Sequence, residues 1–341
     1  MAHEQDFSTP HQACGTSRRR ILGAGSALAA AWALAPAGAL AQSKWPAKPV
    51  TLVVPFPAGG GTDAFARPMS AQFAKLTGTQ LVIDNRGGAG GTLGAGIAAK
   101  AAPDGYTLFM GAVHHAIAPS MYPKLDYDIE KDFIPLALVA NVPQVLVVNP
   151  KNVQGDFKAF LAQVKANPGK LNYGSAGGGT SHHLAGELFK QQTGTFITHI
   201  PYRGSGPALN DAVAGQVEMI FDNLPSALPF IQAGKLIPIA VAAPKRLEQL
   251  PNVPTFKEVG LEPVNRMAFF GIIGPKGLPK EVVDKVNAGV RKSLEDPAVR
   301  KRIEGTGSLI VANTPEQFAE QIKAEFEIYK QLVNSRKLKL D

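Results

Sequence analysis

The chain reads as an α/β protein of two lobes, each a mainly parallel sheet flanked by helices. Three observations predict this. Strand-like and helix-like patterns alternate from residue 50 onward, the order expected of parallel strands with helical crossovers. Two strand–glycine–helix units, at 50–63 and 171–182, lie far apart in the sequence. The alternation also restarts after Pro150, so a second α/β unit follows the first.

The first 41 residues stand apart from this pattern. Arg18, Arg19 and Arg20 precede a short apolar run over 21–35, and Ala39-Leu40-Ala41 forms a small-x-small site before Gln42. This is a signal peptide over 1–41, cleaved after about Ala41, and its paired arginines resemble a twin-arginine export signal. An apolar run of about 15 residues is shorter than the roughly 20 that a membrane span needs. The single cysteine, Cys14, lies upstream of the arginines, which excludes a lipoprotein anchor. The exported chain then has no disulfide, thiolate nucleophile or thiolate metal site.

With 341 residues, 45% hydrophobic and 18% charged, the chain has room for one large or two medium domains. Residues 1–41 hold three arginines and two acids, so their removal changes the net charge only from +8 to +7. A modest positive field attracts anions. The basic residues are dispersed and not interleaved with aromatics, which argues against nucleic acid as a partner.

Taken in order, the β-branched run at 50–54 is a strand, and 63–76 is a helix with Asp63 as its N-cap. A strand over 81–84 leads into the glycine cluster 87–91 and an alanine-rich helix to about 101. A strand over 106–111 ends at His114 and His115. Apolar strands at 134–142 and 144–149 flank Pro143. The second unit holds helices at 157–167, 181–193, 208–214 and 227–233. Its strands are at 171–174, 197–201, 217–221 and 237–241. A strand at 268–273 and helices at 280–294 and 315–337 complete the chain, and Phe318, Ile322, Phe326, Tyr329 and Val333 share one inward face of the last helix.

The two glycine loops carry the candidate chemistry. Gly59-Gly60-Gly61-Thr62 and Gly177-Gly178-Gly179-Thr180-Ser181 each place small residues and hydroxyls at a helix start, where free amides favour a carboxylate or phosphate. Neither is a Walker A loop, and 87–91 is not a dinucleotide fingerprint, so no nucleotide cofactor is expected. His114-His115 and His182-His183 are poor chelates, because adjacent side chains diverge, and no metal is expected. One histidine of each pair is expected at the cleft and the other in a structural role. Ser181 beside His182 lacks an orienting acid and a nucleophile elbow, so no catalytic residue is assigned. Asp222, at a strand end, is a candidate for a ligand amine or hydroxyl. Arg203 is a candidate for bidentate pairing with a ligand carboxylate.

Several of these motifs stand together in one known order. They are 55-PFPAGGGTD-63, 84-DNRGGAGG-91, 104-DGYTL-108, 176-AGGGTSH-182, 201-PYRG-204 and 221-FDNLPS-226. In this the chain resembles the Bug-family (TctC-like) receptors of tripartite tricarboxylate transporters, over essentially all of 45–335. The resemblance implies a periplasmic binding protein of two lobes, type II-like, joined by a hinge of crossing strands, with a small-molecule carboxylate held between the glycine loops. By position it points to Phe56, Ala58, Gly59, Gly60 and Asp63 on the first lobe. On the second it points to Ala176, Gly177, Thr180, Ser181 and His182, with His114 and Asp222 tuning selectivity. It implies docking on a cognate two-component membrane permease, or a sensing role, by a monomer without cofactor. Phe270 stands where the family often has tryptophan, and Gly61 is an additional glycine; both alter the shape of the pocket.

The sequence thus predicts a periplasmic, non-enzymatic receptor for a di- or tricarboxylate, an amino acid or an aromatic acid. Lobe one is expected at 45–143 plus 267–341 and lobe two at 144–266. A secreted serine hydrolase and a phosphate-group binder are the alternatives.

Overall fold

A single residue, Pro143, separates two strands that belong to different sheets. In the computed structural model, which describes residues 45–152 and 155–340, β4 (Phe133–Val142) ends one side of this joint and β5 (Gln144–Val148) begins the other. The signal peptide expected over 1–41 lies outside the described residues.

The first sheet contains β1 (Val50–Val54), β2 (Leu81–Asn85), β3 (Thr107–Ala112), β4, β10 (Ala268–Pro275) and the short β11 (Leu309–Ile310), in the order β11-β4-β10-β3-β1-β2. The second contains β5, β6 (Asn172–Ser175), β7 (Thr198–Pro201), β8 (Met219–Asn223) and β9 (Ile237–Ala242), in the order β7-β6-β8-β5-β9. Both sheets are mixed, not mainly parallel. β1 pairs in parallel with β2 and β3, and β6 with β7 and β8. β10 and β4 run antiparallel to their neighbours, and so does β5. The physical reason is that the crossing chain enters each sheet from the other one, without the helical crossover that keeps successive strands parallel.

Helices cover the sheets: α1 (Gly61–Thr77), α2 (Thr92–Ala99), α3 (His114–Met121), α4 (Phe157–Ala166), α5 (Ser181–Thr193), α6 (Ser205–Ala214), α7 (Leu224–Gln232), α8 (Lys280–Glu295), α9 (Pro297–Glu304) and α10 (Pro315–Arg336). The sequence reading missed α3, because Pro119 lies inside it and its first turn carries the two histidines read as a strand end. It also missed α9, which starts with Pro297 under an Asp296 cap that accepts from Ala298 and Val299. α10 begins in a capping box between Thr314 and Gln317 and buries Phe318, Ile322, Tyr329 and Val333; Phe326 is only half-buried. Among the described residues no helix is long and apolar enough to cross a membrane.

One apolar core runs through both sheets, from Leu52, Phe109 and Leu138 to Phe160, Tyr173 and Phe221. A second lies on the other face of the second sheet, around Val145, Val147, Leu209 and Leu224. Polar pins fix the helices to this frame. The buried Asn287 of α8 donates to the carbonyls of Leu136 at 2.7 Å and Asn313 at 2.9 Å, while Asn313 Oδ1 accepts from the amide of Leu138 at 3.1 Å. Asn287→Ala strands two carbonyls and is expected to cost about 1–3 kcal/mol. The check is a urea titration, in which the midpoint should fall while the slope is unchanged.

Candidate functional site

Five helices begin around one buried cavity. Its lining takes Gly60, Gly61 and Thr62 from the start of α1, Val113 and His114 from α3, Thr180, Ser181 and His182 from α5, Ser205 from α6, and Asn223, which precedes α7. Phe56, Ala176, Ala268 and Phe270 complete it. The space open to a water centre is about 20 Å³, where one water needs roughly 10–15 Å³. No lysine or arginine lines it. The first amides of a helix lack intrahelical acceptors, and the aligned peptide dipoles make each helix start weakly positive. The lining therefore suits an anion without holding a fixed cation.

The first loop is set by Asp63. Its carboxylate accepts from the amide of Gly59 at 3.0 Å, from Arg67 at 2.7 and 3.0 Å, and from Asn85 Nδ2 at 3.2 Å. The helix cap is Gly60, with no side-chain cap bond, and Asp63 sits in the first turn. Asp63 is thus a fastener of the loop and not its N-cap, and it does not line the cavity. Gly61 packs closely: a Cβ there would stand 3.1 Å from both Phe270 Cζ of the first sheet and Asn223 Nδ2 of the second, so either side chain would have to shift by a few tenths of an ångström.

The second loop is held from beneath. Thr180 caps α5, its hydroxyl donating to Gly177 O at 2.7 Å and lying 3.4 Å from the amide of His183. Ser175 Oγ accepts from Gly177 N at 3.0 Å and meets His199 Nε2 at 2.6 Å. Gly179 N donates to His183 Nδ1 at 3.2 Å. In each histidine pair one ring lines the cavity and its neighbour supports the backbone. His114 lines it edge-on to Phe56, while His115 Nδ1 lies 3.1 Å from both the amide and the carbonyl of Ala112. His182 lines it, and its Nδ1 is 3.5 Å from Asp222 Oδ1.

Asp222 is wholly buried, accepts from Ser205 Oγ at 2.5 Å and Ser226 Oγ at 2.8 Å, and does not line the cavity. Burial raises its carboxyl, opposed by His182 and the two serines. Burial holds the His114 imidazole well below its usual range, and the neighbouring His115 and His182 add to this. Burial likewise lowers His182, against the pull of Asp222. In both cavity histidines burial favours the neutral ring. Thr62 Oγ1 and His114 Nε2 are buried with no hydrogen-bond partner among the described residues, while His182 faces both Asp222 and Asn223.

Of the residues singled out by sequence, Phe56, Gly60, His114, Ala176, Thr180, Ser181 and His182 line the cavity. Ala58, Gly59, Asp63, Gly177, Arg203 and Asp222 do not, and Arg203, Ala58 and Gly59 are exposed. Gly61 and Thr62, read as part of the first loop, and Phe270, read as shaping the pocket, also line it, whereas sequence reasoning missed Val113, Ser205, Asn223 and Ala268. Asn223 had a signal, since it adjoins a motif residue that was chosen. Among the described residues no group of three or more His, Cys, Asp or Glu is placed to hold a metal ion.

Two mixed α/β sheets joined by crossing strands, with an anion-suited cavity at the convergence of helix starts, define a two-lobed solute receptor. Residues 65–338 match the family described as "Tripartite tricarboxylate transporter family receptor" (TctC), and the chain belongs to this family of substrate-binding receptors. It is 35% identical to protein BugT of Bordetella pertussis, over 89% of this chain and 94% of that one. Its fold is similar to the periplasmic binding protein BugD, with TM-score 0.84, 33% identity and coverage of 86% and 100% of the two chains. It is also similar to a Rhodopseudomonas palustris protein solved with adipate (TM-score 0.83, 34% identity, 87% and 100% coverage). MatC of that organism, solved with bound malate, gives TM-score 0.81, 35% identity and coverage of 85% and 100%.

The buried histidines predict an acid-labile fold. Burial lowers His115 to about 4, against bonds to the backbone at Ala112 and Gly91. Its folded value lies below the ordinary 6.5, so the unfolded chain binds more protons between these limits. Stability is full above about pH 6.5 and falls as pH drops toward 4, by roughly 3 kcal/mol for this group. His114 and His182 act in the same direction, and Asp222, with its carboxyl raised, acts in the opposite one. Melting temperatures between pH 7 and 4.5 should fall for the native chain and less steeply for His115→Leu.

Proposed function

We propose that this chain is a periplasmic receptor that captures a small carboxylate between its two sheets and delivers it to a two-component membrane permease. The observation that carries this reading is the convergence of five helix starts on a buried cavity lined without a fixed cation. The carboxylate is received by the amides and hydroxyls at Gly60, Gly61, Thr62, Thr180 and Ser181. His114, His182 and Asn223 offer polar atoms to the rest of the ligand, and Phe56 and Phe270 form apolar walls. The adipate and malate of the related structures are the chemistry that such a lining would accept. The name of BugD supports the periplasmic location.

In this reading the lobes are 45–143 with 267–341, and 144–266, and the receptor works as a monomer. Asp63 and Asp222 shape the loops and do not touch the ligand. Arg203, exposed outside the cavity, has no role in capture. In this reading the chain captures its ligand without converting it, in keeping with the substrate-binding receptors of its family. A carboxylate is favoured over a phosphate ester because the related structures hold adipate and malate.

The test is a thermal-shift panel on the purified exported chain, unfolded and refolded to strip captured ligand. Malate, adipate or a close relative should raise the melting temperature, by an amount equivalent to about 2.7 kcal/mol at a hundredfold excess over Kd. Thr62→Val should weaken that ligand about fivefold, the loss of about 1 kcal/mol for one hydrogen bond. Ser181→Ala should also weaken it, with no ester turnover before or after the change. A shift with phosphate esters alone, or turnover that depends on Ser181, overturns the reading.

A further inference from the structure

The wall of the cavity holds one acid–base pair. His182 lines the cavity from the first turn of α5, and its Nδ1 lies 3.5 Å from Oδ1 of Asp222 on β8. Asp222 stands directly behind the wall. Its Oδ1 also accepts from Ser205 Oγ, another lining residue, at 2.5 Å, and its Oδ2 accepts from Ser226 Oγ at 2.8 Å. Both members of the pair are buried. An imidazole and a carboxylate this close titrate together. Near neutral pH the pair carries one negative charge or, with one more proton, none.

The surroundings single out this pair as the place for a proton. His114 of α3 is the other titratable group that faces His182, but it has no carboxylate beside it, and burial holds it well below its usual range. His183, next along α5, accepts from Gly179 N and stacks on His199. The carboxylate of α1, Asp63, is bonded to Arg67 and to the Gly59 amide. α6 and α7 present the hydroxyls of Ser205 and Ser226, and β10 presents Ala268 and Phe270. No lysine or arginine lines the cavity. Burial disfavours the charged form of each partner: it lowers His182 against the pull of Asp222, and raises Asp222 against the pull of His182 and the serines. A ligand carboxylate changes the balance, because it adds a negative charge on the cavity side of His182 while Asp222 stands on the other. An anion within about 4–6 Å of an ionisable group favours its protonated form.

We propose that the His182–Asp222 pair takes up one proton from solvent together with the ligand, so that the counter-charge of the bound carboxylate is a proton that arrives with it. The proton bonds to the unprotonated imidazole nitrogen, the buffer supplies it, and nothing is oxidised or reduced. By linkage the proton also tightens the ligand, so capture strengthens as pH falls toward the range where the ligand's own carboxyls titrate. The inference rests on the receptor reading above and concerns the proton balance of that site.

The test is calorimetric titration of malate and adipate into the refolded, ligand-free exported chain, between pH 6.5 and 8.5, above the ordinary carboxyl range. Buffers of different ionisation enthalpy are compared, and the dependence of the heat on the buffer counts the protons taken up. The expected result is more than about half a proton per ligand at pH 7, with Kd rising up to about tenfold per pH unit toward pH 8.5. His182→Gln, which is polar but cannot hold the extra proton, should abolish the uptake and flatten Kd against pH. Asp222→Asn, which removes the carboxylate, should reduce both. His114→Gln should keep both, whatever it does to Kd. A packing role for His182 would instead shift Kd equally at every pH. Binding of either diacid without buffer-dependent heat overturns the pair and leaves the receptor standing. Uptake that survives in His182→Gln and Asp222→Asn puts the proton on the ligand or elsewhere and overturns the pair as well, and so does uptake lost only in His114→Gln. Absence of both heat and melting shift with the two diacids removes the carboxylate reading, and this inference falls with it.

Discussion

The structure depends on an electrostatic constraint: a site that receives an anion must also stay stable when empty. A buried arginine would bind a carboxylate tightly, but in the empty cleft it would be an uncompensated charge costing several kcal/mol. The starts of five helices avoid this. Each contributes a partial positive charge worth roughly 0.3–1 kcal/mol toward an anion, and up to about 2 when partly buried. Each is neutral overall and is held in place by its own backbone. The charged groups nearby are paired: Asp63 is spent on Arg67 and the Gly59 amide, and Asp222 on two serine hydroxyls. Burial favours the neutral form of the histidines at the wall as well.

That constraint also explains which parts of the site were legible in the sequence. The strand–glycine–helix pattern is local, and both loops are where the spacing puts them. Side chains whose role depends on partners far along the chain were not legible. Asp222 looked like a ligand group at a strand end because Ser205, the hydroxyl that occupies it, lies 17 residues earlier. Arg203 looked suited to a carboxylate by its chemistry alone, and only the folded chain places it in solvent. Asp63 is the instructive case, since the Asp63–Arg67 spacing of four residues was visible and is an ordinary helical ion pair. Reading Asp63 as a cap overlooked it.

At the level of the fold, the strongly periodic segments appear close to where the patterns place them, and α5 spans the same 181–193. The misses have local causes. α3 contains a proline and opens with two histidines, so neither propensity nor periodicity marks it. The mixed pairing of the sheets cannot be read from alternation, because strand direction is decided by where the chain crosses, and the crossing at Pro143 is a single residue long.

That single residue has a mechanical meaning. The ring of Pro143 restrains its own backbone, and its carbonyl accepts from Leu224 N at 2.9 Å, tying the joint to the second sheet. The other crossing, over 243–267, is long and carries a short 3₁₀ turn at Glu262–Val264. One connection is a pin and the other a strap. Were the two sheets to part, the pin would oppose sliding and stretching, and rotation about it, with the strap following, would be the freest motion. Such an arc about a nearly fixed axis would bring the same helix starts back to the same places without a search among alternative alignments.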